Sequence, residues 1–166
     1  MATSMTGNSA ASSFARPRPF PAFFVGGLIV GVLDLAYAML VYSPRNPLLI
    51  PRHIATGVLG VKAYSGGTGT VALGVVLHFV IALGAATVYY LASRKLTFLV
   101  SRPVICGMIY GALVYLFMHN VVLPLSAIPK GHTTPFIYKA TEFVEHWFCV
   151  GLPIALSVRH YSRGRV

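Results

Sequence analysis

The chain has very few acidic residues. Asp34, Glu142 and Glu145 are the only three among 166 residues, against 13 lysines and arginines, and charged residues of both signs make up 10%. An average soluble domain has roughly 25% charged residues. A chain with so little charge cannot cover a water-facing surface, so we expect lipid to surround most of it.

The sequence also lacks the motifs of well-known reaction classes. It has no phosphate-binding glycine loop, no nucleotide motif, no C-x-x-C-H or H-E-x-x-H, and no nucleophile arrangement for hydrolysis. These absences favour a non-enzymatic protein and leave an outward-facing membrane enzyme open. The only two cysteines, Cys106 and Cys149, lie in apolar segments. We interpret them as small buried hydrophobic residues rather than a disulfide.

Long apolar segments dominate what is present. Hydrophobic residues make up 56% of the chain, and the mean hydropathy is +0.74. Four segments are each long enough to cross about 30 Å of hydrocarbon as a helix rising 1.5 Å per residue. They comprise residues 20–42, 68–91, 103–123 and 136–158. The sequence therefore predicts an all-α integral membrane protein, a bundle of four transmembrane helices within residues 20–158.

The remaining segments are shorter and more polar. Residues 1–19 are rich in serine, alanine and threonine, which indicates a disordered cytoplasmic tail, and residues 159–166 form a basic cytoplasmic tail. Residues 51–62 fit a short interfacial helix. Ala36-Tyr37-Ala38 resembles a signal-peptide cleavage site, but Asp34 interrupts the apolar run and residues 39–42 continue it. We favour a retained first span.

The lysines and arginines predict the orientation. With both termini in the cytoplasm, the inner side carries eight of them and the outer side five. The net charge of +10 does not indicate nucleic-acid binding, because the basic residues separate apolar segments instead of forming one face. Anionic lipid headgroups are the expected partner.

Three similarities in the same order indicate an internal repeat. G-x-I-x-G-x-L occurs at residues 27–33 and 107–113, a P-L…I-P-[RK] pattern follows each, and His78-Phe79 corresponds to His146-Trp147. We predict two parallel-repeat helical hairpins related by a pseudo-two-fold axis along the membrane normal. The alternative is convergent membrane composition.

The glycine pairs within this repeat have two predicted uses. Gly27/Gly31 and Gly107/Gly111 allow close helix approach, because lipid provides no hydrophobic drive for helix association. We expect the two pairs to meet at the pseudo-axis. The competing use is homo-oligomer formation through the same faces.

The acidic residues share one region with several histidines. Glu142, Glu145 and His146 lie on one helical face, and a carboxylate facing lipid would cost a few kcal/mol. At 1.5 Å per residue, every span places an ionisable group in the outer half of the bilayer. We therefore expect one buried polar centre near the outer face. Its candidate residues are Asp34, His78, His119, Glu142, Glu145 and His146.

Several functions fit such a centre. It could bind or relay a proton or cation, or hold a divalent metal such as zinc or iron(II). Bis-histidine haem ligation by His78 and His146 is a weaker candidate. Alternatively, the polar residues only fix helix packing in a non-catalytic subunit of a larger membrane complex. Glu142 could also merely pair with Lys139, one turn earlier.

Three short motifs carry a resemblance to known sequences. They are L-D-x-x-Y-A at residues 33–38, L-H-F at 77–79 and V-x-L-P-L-S-A at 121–127. With them the chain resembles a group of small bacterial inner-membrane proteins of unknown function. The resemblance implies four spans in a bacterial cytoplasmic membrane. It implies no activity and no functional residues.

Overall fold

The computed structural model describes residues 19–129 and 135–162, and all regular structure in these ranges is helical. The α-helices are α1 (Pro19–Tyr42), α2 (Leu49–Leu59), α3 (Gly67–Ser93), α4 (Phe98–Ser101), α5 (Pro103–Phe117), α6 (Leu123–Leu125), α7 (Phe136–Glu145) and α8 (Leu152–Tyr161). A 3₁₀ turn, Gly60–Ser65, follows α2. Two π-helical turns, Met118–Val122 and His146–Gly151, join α5 to α6 and α7 to α8.

Within residues 19–129 and 135–162, three helices are long and apolar enough to cross a membrane. They span Phe20–Tyr42, Gly67–Ser93 and Pro103–Leu125, close to the first three predicted spans. The chain is therefore a multi-pass membrane protein. A fourth helical run is formed by α7, its π-helical turn and α8 together. Its crossing of the bilayer stays a prediction. The predicted tails lie mostly outside the described residues, although α8 continues to Tyr161.

The helices form a bundle in which α1 packs between α3 and α8, and α5 packs against α8 and the π-helical turn before it. Small residues make these approaches close: Ala22, Ala86 and Ala155 are fully buried. Ser157 of α8 donates a hydrogen bond to the carbonyl oxygen of Ala22 at 3.0 Å. Such interhelical polar contacts help to hold helices together where lipid provides no hydrophobic drive.

Each predicted glycine pair packs inside one helical hairpin. Gly27 and Gly31 of α1 contact α3, and Gly107 and Gly111 of α5 contact the helical run formed by α7, its π-helical turn and α8. The predicted meeting of the two pairs at a pseudo-axis is therefore wrong. A Cβ on Gly31 would lie 2.5 Å from the Phe79 ring of α3, and one on Gly111 would overlap the carbonyl oxygen of His146. The physical reason is local: consecutive antiparallel helices joined in one hairpin are the pairs that pack most closely. Because the chain itself covers these glycines, self-association through them would require a hairpin to open, and it stays a prediction.

Helix α2 packs against the first half of α3. Pro51 and Thr56 are fully buried, and Gly74 of α3 leaves room only for the carbonyl group of Pro51. The connection after α6 reaches the same place, where the amide of Ala127 donates to the carbonyl oxygen of Gly57 at 2.9 Å. We call this end of the bundle the α2 end.

Tyrosines close the space between α3 and α5 toward the opposite end. Tyr110 of α5 donates a hydrogen bond to the carbonyl oxygen of Ala85 at 2.7 Å, and its ring meets that of Tyr89 edge-on at 5.0 Å. Tyr89 in turn donates to the carbonyl oxygen of Leu99 at 3.0 Å. These contacts fill the space between α3 and α5 at this level of the bundle.

The close glycine contacts predict a sharp position dependence of stability. Gly111→Ala places a methyl group against the backbone of His146, and overpacking of this kind costs roughly 1–3 kcal/mol. We expect a lower thermal unfolding midpoint for the purified protein in detergent. Gly84→Ala is the matched control, because a Cβ there meets nothing within 4 Å. Equal midpoints for the two variants would contradict the packing described here.

Candidate functional site

All four helical runs contribute to the polar centre. Asp34 lies on α1, His78 on α3, and Glu142 and Glu145 on α7. His119 and His146 lie in the two π-helical turns. π-Helical turns are often found at functional sites, since the extra residue shifts the side chains that follow to another face. His119 and His146 therefore lie where the helix departs from its regular period.

The prolines explain where these turns occur. Pro124 and Pro153 follow the π-helical turns closely and have no N–H, so the carbonyl groups of Asn120 and Cys149, four residues earlier, lack their usual helical donor. Sequence reasoning missed the π-helical turns because it assumed a regular period of 3.6 residues. A proline within an apolar helical segment was the available signal.

Asp34, Glu145 and His146 form the centre of the cluster. One ligand atom from each lies within 4.8 Å of the other two. The Glu145 and His146 side chains are only 3% and 8% exposed, whereas that of Asp34 is 25% exposed. Two carboxylates and an imidazole are therefore held together, largely away from solvent, by two different helical runs.

The hydrogen bonds of His146 indicate which ring nitrogen carries the proton when the ring is neutral. Its Nδ1 lies 2.8 Å from Oε2 of Glu145 and 3.0 Å from the carbonyl oxygen of Glu142. A carbonyl and a carboxylate only accept, so Nδ1 carries the proton and donates to both. In the neutral ring this leaves the lone pair on Nε2.

The other oxygen of Glu145 is the outstanding feature of the site. Oε1 is buried and has no hydrogen-bond partner among the described residues. Leaving a buried charged oxygen without a partner is costly, and the nearby Asp34 carboxylate, when ionised, can only accept. A proton or a cation between the two carboxyl groups would satisfy both.

Two histidine–carboxylate pairs flank this group. Nε2 of His78 lies 3.8 Å from Oδ2 of Asp34 and donates to the carbonyl oxygen of Gly31 at 3.0 Å. On the other side, Nε2 of His119 lies 3.6 Å from Oε2 of Glu142. In the described part of the chain Glu142 makes no salt bridge with Lys139, so that simpler explanation of Glu142 is not supported.

Tyr115 connects the outer pair to the centre. Its ring stacks on His119 with centroids 4.1 Å apart and meets His146 edge-on at 5.5 Å. Its carbonyl oxygen accepts from Nδ1 of His119 at 3.1 Å. The six residues singled out in the sequence thus form one connected group.

A cavity of about 540 Å³ opens beside this group, between the four helical runs and the α2 end. Asp34, His78, His119, Glu142 and His146 all line it, whereas Glu145 is not one of its lining residues. Most other lining side chains are apolar. A cavity with apolar walls and a few converging polar groups is the usual form of a small-molecule site.

No protein-family model, curated protein or solved structure matches the chain. The structure itself shows a small multi-helix protein with three candidate membrane spans in its described residues. The resemblance to small bacterial inner-membrane proteins, and the role as a subunit of a larger complex, stay predictions.

The geometry of Glu145 predicts different outcomes for two substitutions. Glu145→Gln retains an oxygen that accepts from His146 and removes a negative charge near Asp34, so the unfolding midpoint in the presence of a chelator should stay equal or rise. Glu145→Ala removes the acceptor and should destabilise by roughly 1.5–3 kcal/mol, as expected for a hydrogen bond to a charged group. If Glu145→Gln lowered the unfolding midpoint as much as Glu145→Ala, the negative charge itself would be needed for stability, and the site would be structural.

Proposed function

We propose that the protein binds a divalent metal ion through Asp34, Glu145 and His146 within the membrane. The observation that carries the proposal is the buried, unpartnered Oε1 of Glu145 beside a second carboxylate and an imidazole, with ligand atoms within 4.8 Å of one another. Carboxylate oxygens and imidazole nitrogens are ligands that zinc, manganese and iron(II) accept.

The spacing is compatible with one ion after small side-chain rotations. Two ligand atoms bound at about 2.1 Å lie at most about 4.2 Å apart, and about 3.4 Å apart in tetrahedral geometry. The observed limit of 4.8 Å exceeds these values slightly. For Glu145 and His146 to bind the same ion, Nδ1 of His146 must lose its proton and its present hydrogen bonds, because Nε2 points away from Glu145. Asp34 lines the cavity, from which an ion can enter.

Proton binding is the second candidate, and the same buried oxygen favours it. A protonated carboxyl group on Asp34 or Glu145 would donate to the other and satisfy Oε1 without any metal. The histidine–carboxylate pairs on both sides would then continue a chain of titratable groups along the cavity. Haem ligation stays a prediction, with no contact in the described residues that favours it.

The proposed topology has four spans with both termini in the cytoplasm of a bacterium. Arg94, Lys95, Arg102 and Arg159 are exposed at the end of the bundle opposite the α2 end, where anionic headgroups would meet them. The two hairpins bury their glycines in the same manner, Gly31 against Phe79 and Gly111 against the backbone of His146 and Trp147. This similarity supports the proposed duplication.

The topology predicts a pattern of chemical labelling. In a chain whose native cysteines have been replaced, Ser65→Cys should react with a membrane-impermeant maleimide in intact spheroplasts. Leu96→Cys and His160→Cys should react only after permeabilisation, because they lie on the cytoplasmic side. All three positions lie outside the proposed spans or near their ends. Labelling of His160→Cys together with Ser65→Cys would instead indicate three spans.

Metal binding is tested by calorimetric titration of the purified protein with Zn²⁺ and Mn²⁺ in detergent. We expect one ion per chain, with affinity reduced at least about tenfold by His146→Gln or Glu145→Gln, since even residues that only orient a ligand contribute ten- to hundredfold. His160→Gln is the matched control, because His160 is exposed at the far end of α8. A folded wild-type protein that bound neither ion would overturn the metal proposal and favour proton binding.

A further inference from the structure

We propose that the cavity binds a protonated organic amine with an apolar body, and that the carboxylate of Glu142 recognises the ammonium group. This ligand adds to the metal ion and does not depend on it, because Glu142 is not one of the three proposed metal ligands. The inference follows from the size of the cavity, the chemistry of its walls and the geometry of one histidine–carboxylate pair.

The cavity is much larger than an ion requires. Its volume is about 540 Å³, whereas one water molecule takes up about 30 Å³ of the liquid. Cavities of roughly 300–1,000 Å³ typically hold organic molecules of moderate size. A site built only for a metal ion or a proton would not need this space, so its walls should reflect a second ligand.

The walls are mainly hydrocarbon. Every helical run contributes apolar side chains, including Val30 from α1, Ile81 from α3, Val114 from α5 and Val150 from the second π-helical turn. Replacing water against apolar surface of this kind by an apolar ligand lowers the free energy. The body of the ligand should therefore be hydrocarbon.

The charged side chains in the walls favour one sign of charge on the ligand. Asp34 and Glu142 line the cavity, and no lysine or arginine does so within residues 19–129 and 135–162. An anion would find no fixed positive partner, whereas a cation would meet the Glu142 carboxylate, and also that of Asp34 when no metal ion is bound, in surroundings that screen charge poorly. Charge complementarity therefore favours a cation.

The outer histidine–carboxylate pair calls for a hydrogen-bond donor. His119 donates from Nδ1 to the carbonyl oxygen of Tyr115, so in the neutral ring Nε2 carries only a lone pair. That nitrogen faces Oε2 of Glu142 at 3.6 Å, too far for a direct hydrogen bond. An ammonium group lying against both atoms would donate to each.

Aromatic rings complete the surroundings of the charge. Tyr37, Tyr42 and Tyr138 line the same cavity, and the Tyr42 ring lies 6.0 Å from that of Tyr37 and 5.6 Å from that of Tyr138. Faces of aromatic rings attract alkylammonium groups. Carboxylate, lone pair and rings together match an amine better than a fully hydrated inorganic cation.

The test uses three probes with the same hydrocarbon body: 1-aminoadamantane, 1-adamantanol and adamantane-1-carboxylate. Each is titrated calorimetrically into the full chain in lipid nanodiscs with a chelator present. We expect the amine to bind at least about tenfold more tightly than the alcohol, a difference of about 1.4 kcal/mol, and the carboxylate not to bind. Glu142→Gln should reduce amine affinity at least about tenfold and leave alcohol affinity unchanged.

Three variants separate this proposal from the metal site. Glu145→Gln should reduce Zn²⁺ affinity at least about tenfold and retain amine binding, whereas Glu142→Gln should retain Zn²⁺ binding. Ala38→Trp fills the cavity from α1 and should abolish amine binding with Zn²⁺ binding intact, which also shows that the variant is folded. Equal binding of all three probes, or an amine affinity that Glu142→Gln leaves unchanged, would show a nonspecific apolar pocket and overturn the proposal. Absence of amine binding to a folded wild type would do the same.

Discussion

The structure depends on one constraint, which is that hydrocarbon cannot solvate a carboxylate. The contact between Glu145 and His146 is the clearest response to it: the imidazole donates at 2.8 Å to an acid whose side chain is only 3% exposed. The two remaining acidic residues of the chain follow the same rule, since Asp34 lies beside His78 and Glu142 beside His119. Three acids and three histidines therefore meet beside the cavity, with at least one from each of the four helical runs.

Backbone groups carry a comparable part of the architecture. Glycines bring the helices of each hairpin so close that a methyl group would not fit, and buried serine and tyrosine hydroxyls donate to carbonyl oxygens of neighbouring helices. Prolines then interrupt the regular period of two helical runs and leave π-helical turns at His119 and His146. The same departures from ideal helix geometry that weaken the backbone locally also position the polar side chains.

Hydropathy and the cost of desolvating charge act locally, so the sequence was sufficient to predict three spans and the gathering of Asp34, Glu145 and His146. Which glycine faces meet depends on how hairpins assemble, and here the prediction failed: Gly31 faces Phe79 of its own hairpin, not the second glycine pair. The cavity could not be predicted either, because it is space that four separate segments leave between them. The π-helical turns had a sequence signal in Pro124 and Pro153, which a strictly periodic analysis passes over.

The hydrogen bond between Ala127 and Gly57 has a kinetic consequence. It joins the connection after α6 to helix α2 next to the cavity, and it is separate from the contacts between the long helices. Local opening there would expose the cavity while the bundle remained folded. The residence time of an occupant is then governed by how often the connection after α6 separates from α2, so dissociation rates and thermal stability should vary independently among variants of this chain.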